Sequence, residues 1–227
     1  MANNNSDVTQ TAATYDRLRT AILSLELLPG ETISERYLEE VLSSSRTPIR
    51  AALARLESEG MVRRSGRGYI VAPIDVDELI HAYAFREVLE CEAIRKAALI
   101  ATDEDVVRLR SLATAAAGAP QRPAPGAELA DAFHMEFARI YGNPFLIRAL
   151  ESTQRIVYRA RWLEMSSDIQ DAGAREHAVL VDLVAEHRAD DAAVAMALHV
   201  SRSRERMIEM LKQQSRSLRG RGLRIVA

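Results

Sequence analysis

One stretch, Thr32 to Arg67, most constrains what this chain can fold into: TISERYLEEVLSSSRTPIRAALARLESEGMVRRSGR. Ser34 can cap a short helix whose buried face is Leu38, Val41 and Leu42, and Ser43-Ser44-Ser45 breaks it. Ser45 can cap a second helix that tolerates Pro48 in its first turn, carries the apolar stripe Ile49, Ala52, Leu53 and Leu56, and ends at Gly60. Met61 to Arg64 and Gly68 to Ala72 then read as strands joined by the turn Ser65-Gly66-Arg67. Helix, turn, helix and β-hairpin in this order predict a winged helix-turn-helix, whose second helix enters the major groove of DNA. Arg46 and Arg50 lie one turn apart at the start of that helix, where a guanidinium can pair with guanine or hold phosphate. Ser45 and Thr47 offer hydroxyls and N–H groups to phosphate, while Arg36 and Arg67 extend the contact to the flanking backbone. The alternative is a solvated arginine face on a small helical domain.

Charge supports the first reading only when it is taken locally. The net charge is -2, yet Arg46 to Arg67 holds six arginines against two glutamates, a local +4. Ser201 to Ala227 holds eight basic residues against two acidic, a local +6. The 227 residues suit two domains, and 48% hydrophobic residues suffice for two cores. The single cysteine, Cys91, excludes an intramolecular disulfide and a cysteine-rich zinc site; it reads as a helix-core thiol in a reducing cytoplasm. No apolar run is long enough to cross a membrane and no export signal opens the chain.

Upstream of the head, residues 1–10 are expected to be frayed. Tyr15, Leu18, Ile22 and Leu25 mark a helix ended by Leu28-Pro29-Gly30, and the head closes near Pro73. From 74 to about 215, helical periodicity predicts a six-helix antiparallel bundle: about 76–101, 103–117, 128–141, 144–166, 169–187 and 190–214. The fold class expected is therefore mainly α, a winged head followed by an all-helical domain. The tail, 216–227, is basic and flexible in expectation, with contact to phosphate as its alternative.

His134, His177 and His199 each sit within an apolar stripe of a different helix. They are either three separate core histidines or converging ligands of a divalent metal with open positions. His81 and His187 read as surface or boundary residues.

The segment ELLPGETISERYLEEVLSSSRTPIRAALARLESEGMVRRSGRGYIV resembles the DNA-binding domain of the GntR family of bacterial transcription regulators, over about sixty residues. The resemblance implies DNA contacts at Arg36, Arg46, Thr47, Arg50 and Gly68, the last allowing close backbone approach in the wing. Ser43 stands where a glycine is usual in the inter-helix turn, and Ala51 where a glutamate is frequent. FREVLECEAIRKAA, DAFHMEFARIYGNPFLIRAL and EHAVLVDLVAEHRADDAAVAMALHV are similar to the FCD ligand-binding domain of the FadR-type subfamily, and six helices match its VanR-like branch. That likeness implies a metal of the zinc, nickel or manganese type held by His134, His177 and His199 with an aspartate one turn before the first, and no organic cofactor. Here Ala130 takes the aspartate's place, and Asp131 stands about 100° around the helix from it. Arg86 matches an arginine that meets an effector carboxylate; its alternative is an ion pair with Glu90. Tyr158 and Arg159, with Arg161, belong either to the effector pocket or to a surface.

The function expected is a cytoplasmic, homodimeric regulator, most simply a repressor, whose grip on a double-stranded DNA operator responds to a small carboxylate effector. Two rivals are a metal-dependent enzyme in the helical domain and a constitutive architectural DNA binder.

Overall fold

The computed structural model describes residues 3–118, 125–161, 167–220 and 225–226, with side chains for 10–115, 132–158, 160–161, 173–213 and 225–226. The chain divides into two compact units, one of residues 1–75 with 214–227 and one of residues 76–213.

The first unit begins with α1 (Asn3–Leu23), followed by β1 (Thr32–Ile33), α2 (Glu35–Leu42), α3 (Arg46–Ser58), β2 (Val62–Ser65) and β3 (Gly68–Val71). Tyr15, Leu18 and Ile22 of α1 are buried as their spacing predicts, and α1 packs on α3. The helix stops at Leu23, before Leu25, which takes a left-handed φ of 60°. α2 starts where expected, because Ser34 Oγ accepts a hydrogen bond from the Tyr37 N–H at 3.1 Å. Pro48 sits in the first turn of α3, where a missing N–H breaks no helical bond. Ile49, Leu53 and Leu56 are fully buried. β2 and β3 pair antiparallel with Ser65 opposite Gly68, so the turn holds only Gly66 and Arg67. β1 adds to the other edge of β3, with Thr32 opposite Ile70 and Ile33 opposite Tyr69, giving the order β1-β3-β2. The unit also contains β4 (Ile74–Asp75) and β5 (Ile225–Val226), which pair in parallel.

The second unit is built from α4 (Val76–Ile100), α5 (Asp103–Gly118), α6 (Pro125–Tyr141), α7 (Pro144–Arg161), α8 (Ser167–Ala185) and most of α9 (Ala189–Gly220). These are the six helices expected, joined by short connections. A reciprocal cap starts α5: the Asp105 N–H donates to Thr102 Oγ1 at 3.2 Å, and the Thr102 N–H donates to Asp105 Oδ2 at 2.8 Å. Asn143 Oδ1 accepts from the Phe145 and Leu146 N–H groups at the start of α7. α4 packs against α6, α7 and α8, and α5 against α6 and α8, around Tyr83, Ile94, Phe133, Phe137, Val181 and Met196. Cys91 is half-buried, its thiol donating to the Ala193 carbonyl, and burial pushes its pKa up to about 11. That is the inert helix thiol expected.

Two expectations differ at the ends of the chain. A flexible tail from 216 was expected, but α9 continues to Gly220 and Ile225 is buried in the pairing with β4. A frayed start was expected to residue 10, and α1 begins at Asn3. The proline- and glycine-rich loop expected between the second and third bundle helices falls largely outside the described residues.

Candidate functional site

Two groups of residues carry chemistry, one in each unit. In the head, Ser45, Arg46, Thr47 and Arg50 are all exposed on the first turns of α3. Ser45 occupies the N-cap position with extended backbone, yet its side chain makes no capping hydrogen bond. The first N–H groups of α3 therefore keep the partial positive charge that suits an anion. Arg46 Nε donates to Glu39 Oε1 at 3.0 Å, and Arg50 Nε donates to both oxygens of Glu35 at 2.9 Å. Arg36 is exposed and stands 3.6 Å from Glu40, and Arg67 is exposed in the two-residue turn. Gly68 has a reason inside the fold: a Cβ there would stand 2.8 Å from the Ile33 carbonyl oxygen, so its close approach is to β1. Ser43 takes the left-handed conformation, φ 49°, that the usual glycine accommodates without strain.

In the helical unit, the structure brings together the three histidines that the sequence placed on three helices. His134 on α6, His177 on α8 and His199 on α9 are buried, and one nitrogen of each lies within 4.8 Å of the others. Phe133 stacks on His177 with ring centroids 4.2 Å apart and closes one side of the cluster.

Two carboxylates stand behind the rings. His199 Nδ1–H donates to Glu176 Oε2 at 2.7 Å, and Glu176 is also within 3.5 Å of Arg202 and 3.4 Å of Arg206. His134 Nδ1 lies 2.9 Å from Glu90 Oε2, a close contact that does not meet hydrogen-bond geometry. Burial alone would raise the Glu90 carboxyl, but Arg86 and His134 outweigh it and hold it well below the usual carboxylate range. Burial likewise opposes ionisation of Glu176, and the His199 and Arg206 partners bring its pKa down to about 2. Glu90 is thus both the partner of Arg86, with Nε 2.5 Å from Oε1, and the support of His134. Glu176 was not singled out in the sequence, and Glu90 only as a partner for Arg86. The available signals were adjacency to His177 and the four-residue step from Arg86.

The imidazoles are held neutral. Burial lowers His134 to about 3 against the pull of Glu90, lowers His177 well below its ordinary value, and lowers His199 despite Glu176. His134 Nε2 and His199 Nε2 face each other at 3.3 Å, within hydrogen-bond distance, and with the Nδ1 atom of each beside a carboxylate these are the nitrogens that would turn to a bound ion. Both ring nitrogens of His177 are buried with no hydrogen-bond partner among the described residues. Neutral imidazoles converging from three helices, two of them beside carboxylates, fit the donor set of a divalent transition metal. Nitrogens sharing one ion at about 2.1 Å with tetrahedral angles stand about 3.4 Å apart, so His134 and His199 at 3.3 Å already fit, and the cluster, which spans up to 4.8 Å, has to close around the ion.

Arg86 is buried on α4, and its charge bears on all three imidazoles. Of its two expected roles the pair with Glu90 is formed. Tyr158 is buried on α7. The side chains of Asp131 and Arg159 lie outside the described residues. His187 ends α8 with φ 56° and donates from Nδ1 to the Ala98 carbonyl at 2.8 Å, a boundary role, and His81 is exposed.

Comparison with known proteins agrees with this division. Residues 10–71 match the gntR family of bacterial regulatory proteins, and residues 81–202, more than half of the chain, match the FCD domain. The Nta operon transcriptional regulator of Aminobacter aminovorans is 27% identical over 192 residues, covering 84% of this chain and 90% of its own. The Uxu operon transcriptional regulator of Escherichia coli K12 is 29% identical over 219 residues, covering 85% and 84%. Among solved structures, Escherichia coli McbR/YncC shares the fold with a TM-score of 0.73 at 19% identity, over 91% of this chain and 98% of that one. No described helix is long and apolar enough to cross a membrane. A head that presents arginines from a helix start, joined to an FCD helical domain, is a DNA-binding transcriptional regulator and not an enzyme, and the chain belongs to the gntR family of bacterial regulatory proteins in its FCD-bearing group.

Proposed function

We propose that the chain is a cytoplasmic, homodimeric, ligand-responsive repressor. The observation that carries this reading is the convergence of three buried imidazoles, with His134 and His199 Nε2 3.3 Å apart and both ring nitrogens of His177 without a hydrogen-bond partner among the described residues. Buried nitrogens left in that state cost free energy unless a ligand completes them. His134, His177 and His199 would hold a divalent cation of the zinc, nickel or manganese type. Such an ion would supply open coordination positions for the oxygens of a small carboxylate. Asp131 is the remaining candidate on the same helix, α6. Arg86 adds a guanidinium close enough to influence the cluster, and Tyr158 and Arg159 are candidate pocket residues on α7. An effector carboxylate reaching Arg86 has to compete with Glu90, which makes the Arg86–Glu90 pair the element with two arrangements that the effector biases.

In the head, Arg36, Ser45, Arg46, Thr47, Arg50, Arg67 and Gly68 form the proposed contact surface. Two heads on a pseudo-palindromic site double a contact set too small for useful specificity alone, and occupation of the operator blocks transcription. Metal analysis of the purified protein, followed by operator titration with and without metal and a panel of small carboxylic acids, tests the switch. The expected results are one metal per chain, lost in His134→Ala and His199→Ala, and an operator affinity that falls with a cognate acid only in the metal-loaded protein. Operator affinity unmoved by every metal and acid, with no metal retained, would overturn the reading in favour of a constitutive binder.

A further inference from the structure

The two strongest DNA-reading arginines are each already engaged through one edge. Arg50 Nε donates to both oxygens of Glu35, and Arg46 Nε donates to Glu39 Oε1. Glu35 and Glu39 lie one turn apart on α2, and Arg46 and Arg50 one turn apart on α3, so the pairs form two rungs between the helices. Both arginine side chains remain about two-thirds exposed, at 65% and 64%. Surface pairs of this kind contribute little stability, which leaves their geometry to be explained by something else. A guanidinium held at Nε still has its Nη edge, which is wide enough to bind two acceptors at once. The O6 and N7 atoms of guanine in the major groove present such a pair of acceptors. A helical turn of about 5.4 Å spans between one and two base-pair steps of about 3.4 Å, so two arginines one turn apart address different base pairs.

We infer that Glu35 and Glu39 are positioning residues for sequence recognition, each fixing the Nε edge of Arg50 or Arg46 so that the Nη edge is presented to a guanine in the operator. The inference deepens the assignment of α3 as the base-reading helix and rests on it. A long side chain that reaches its base already ordered loses less rotamer entropy on binding, and it cannot swing to a neighbouring phosphate. The carboxylates also repel the DNA backbone, which weakens docking in which the arginines have no guanine to meet.

The test is selection of binding sites from a random-sequence duplex library by full-length wild type, Glu35→Ala, Glu39→Ala and Glu35→Gln. Affinities for the selected site and for its single guanine-to-adenine variants are then measured at one salt concentration. Wild type is expected to require guanine at two positions in each half-site. Glu35→Ala should relax one of them by roughly tenfold and Glu39→Ala the other, while binding to random duplex holds or tightens. Glu35→Gln, whose amide oxygen still accepts from Nε, should retain part of the preference, which separates positioning from charge. Uniformly tighter binding with unchanged preferences would overturn the inference, making the glutamates general repellers. Sharpened preferences would also overturn it, because the pairs would then withhold the arginines. A wild-type protein that selects no sequence would instead strike the base-reading assignment of α3 itself.

Discussion

Three neutral imidazoles packed against one another set how the helical unit responds to acid. In the unfolded chain each histidine takes up a proton near pH 6.5, whereas the folded site keeps His134 neutral down to about 3 and holds His177 and His199 below their ordinary value. A depressed folded pKa means that the unfolded state binds more protons below about pH 6.5, so stability falls as pH drops through that window and is flat above it. Each histidine contributes a slope of at most about 1.4 kcal/mol per pH unit. Chelator-treated protein melted from pH 7.5 to 4.5 should show this loss, and His177→Gln should lessen the slope by about one proton; an unchanged slope would show that His177 protonates freely in the fold. The histidines were legible in the sequence because each interrupts an apolar helical stripe. Their carboxylate partners were less so: Glu90 was visible only as a neighbour of Arg86, and Glu176 looks like an ordinary charged residue until α8 and α9 are packed. Residue spacing reports which face a side chain is on, but not which buried partner it will meet.

At the scale of elements, the helices of the head announced themselves through caps and periodicity, while its outer strand did not. β1 is two residues long and owes its existence to the free edge of β3, a tertiary fact with no period to read. That pairing explains Gly68: alanine there meets the Ile33 backbone oxygen at 2.8 Å, and backbone cannot rotate away as a side chain can. Gly68→Ala should therefore destabilise the head by about 1–3 kcal/mol, as overpacking does elsewhere, and increase amide exchange in β1 before that in α3. Retention of wild-type exchange in β1 would contradict this. Ser43 is the converse case. Its left-handed φ of 49° costs a residue with a Cβ about 1–2 kcal/mol, so Ser43→Gly should recover much of that, less the entropy glycine adds to the unfolded chain. A raised melting temperature with unchanged DNA preference is the expected outcome, and a lowered one would show that the Ser43 side chain stabilises the turn by a contact of its own.

For the molecule as a whole, charge had to be read by position before it had any meaning, because a net -2 conceals a local +4 from Arg46 to Arg67. The division into head and helical unit followed from where strand and turn signals stop and helical periodicity takes over. The end of the chain did not follow: Ile225 looks like part of a basic tail, yet it pairs with Ile74 and is buried. The same positional charge provides a way to count heads on DNA. Each arginine that neutralises a phosphate releases condensed counterions, so log affinity falls with log salt at about -0.9 per phosphate contact. Arg67, exposed in the turn between β2 and β3, is proposed to touch backbone and not base. Arg67→Ala should weaken selected and random duplexes by similar factors, leaving the discrimination proposed for Arg46 and Arg50 intact. If two heads bind one operator, two such contacts disappear together and the salt slope becomes shallower by about 1.8; with one head the change is about 0.9. Titrations from 50 to 200 mM salt on a single operator duplex resolve that factor of two. A change near 0.9 would remove the paired-head arrangement, because a dimer engaging its site through both wings cannot lose only one phosphate contact when both copies carry the substitution.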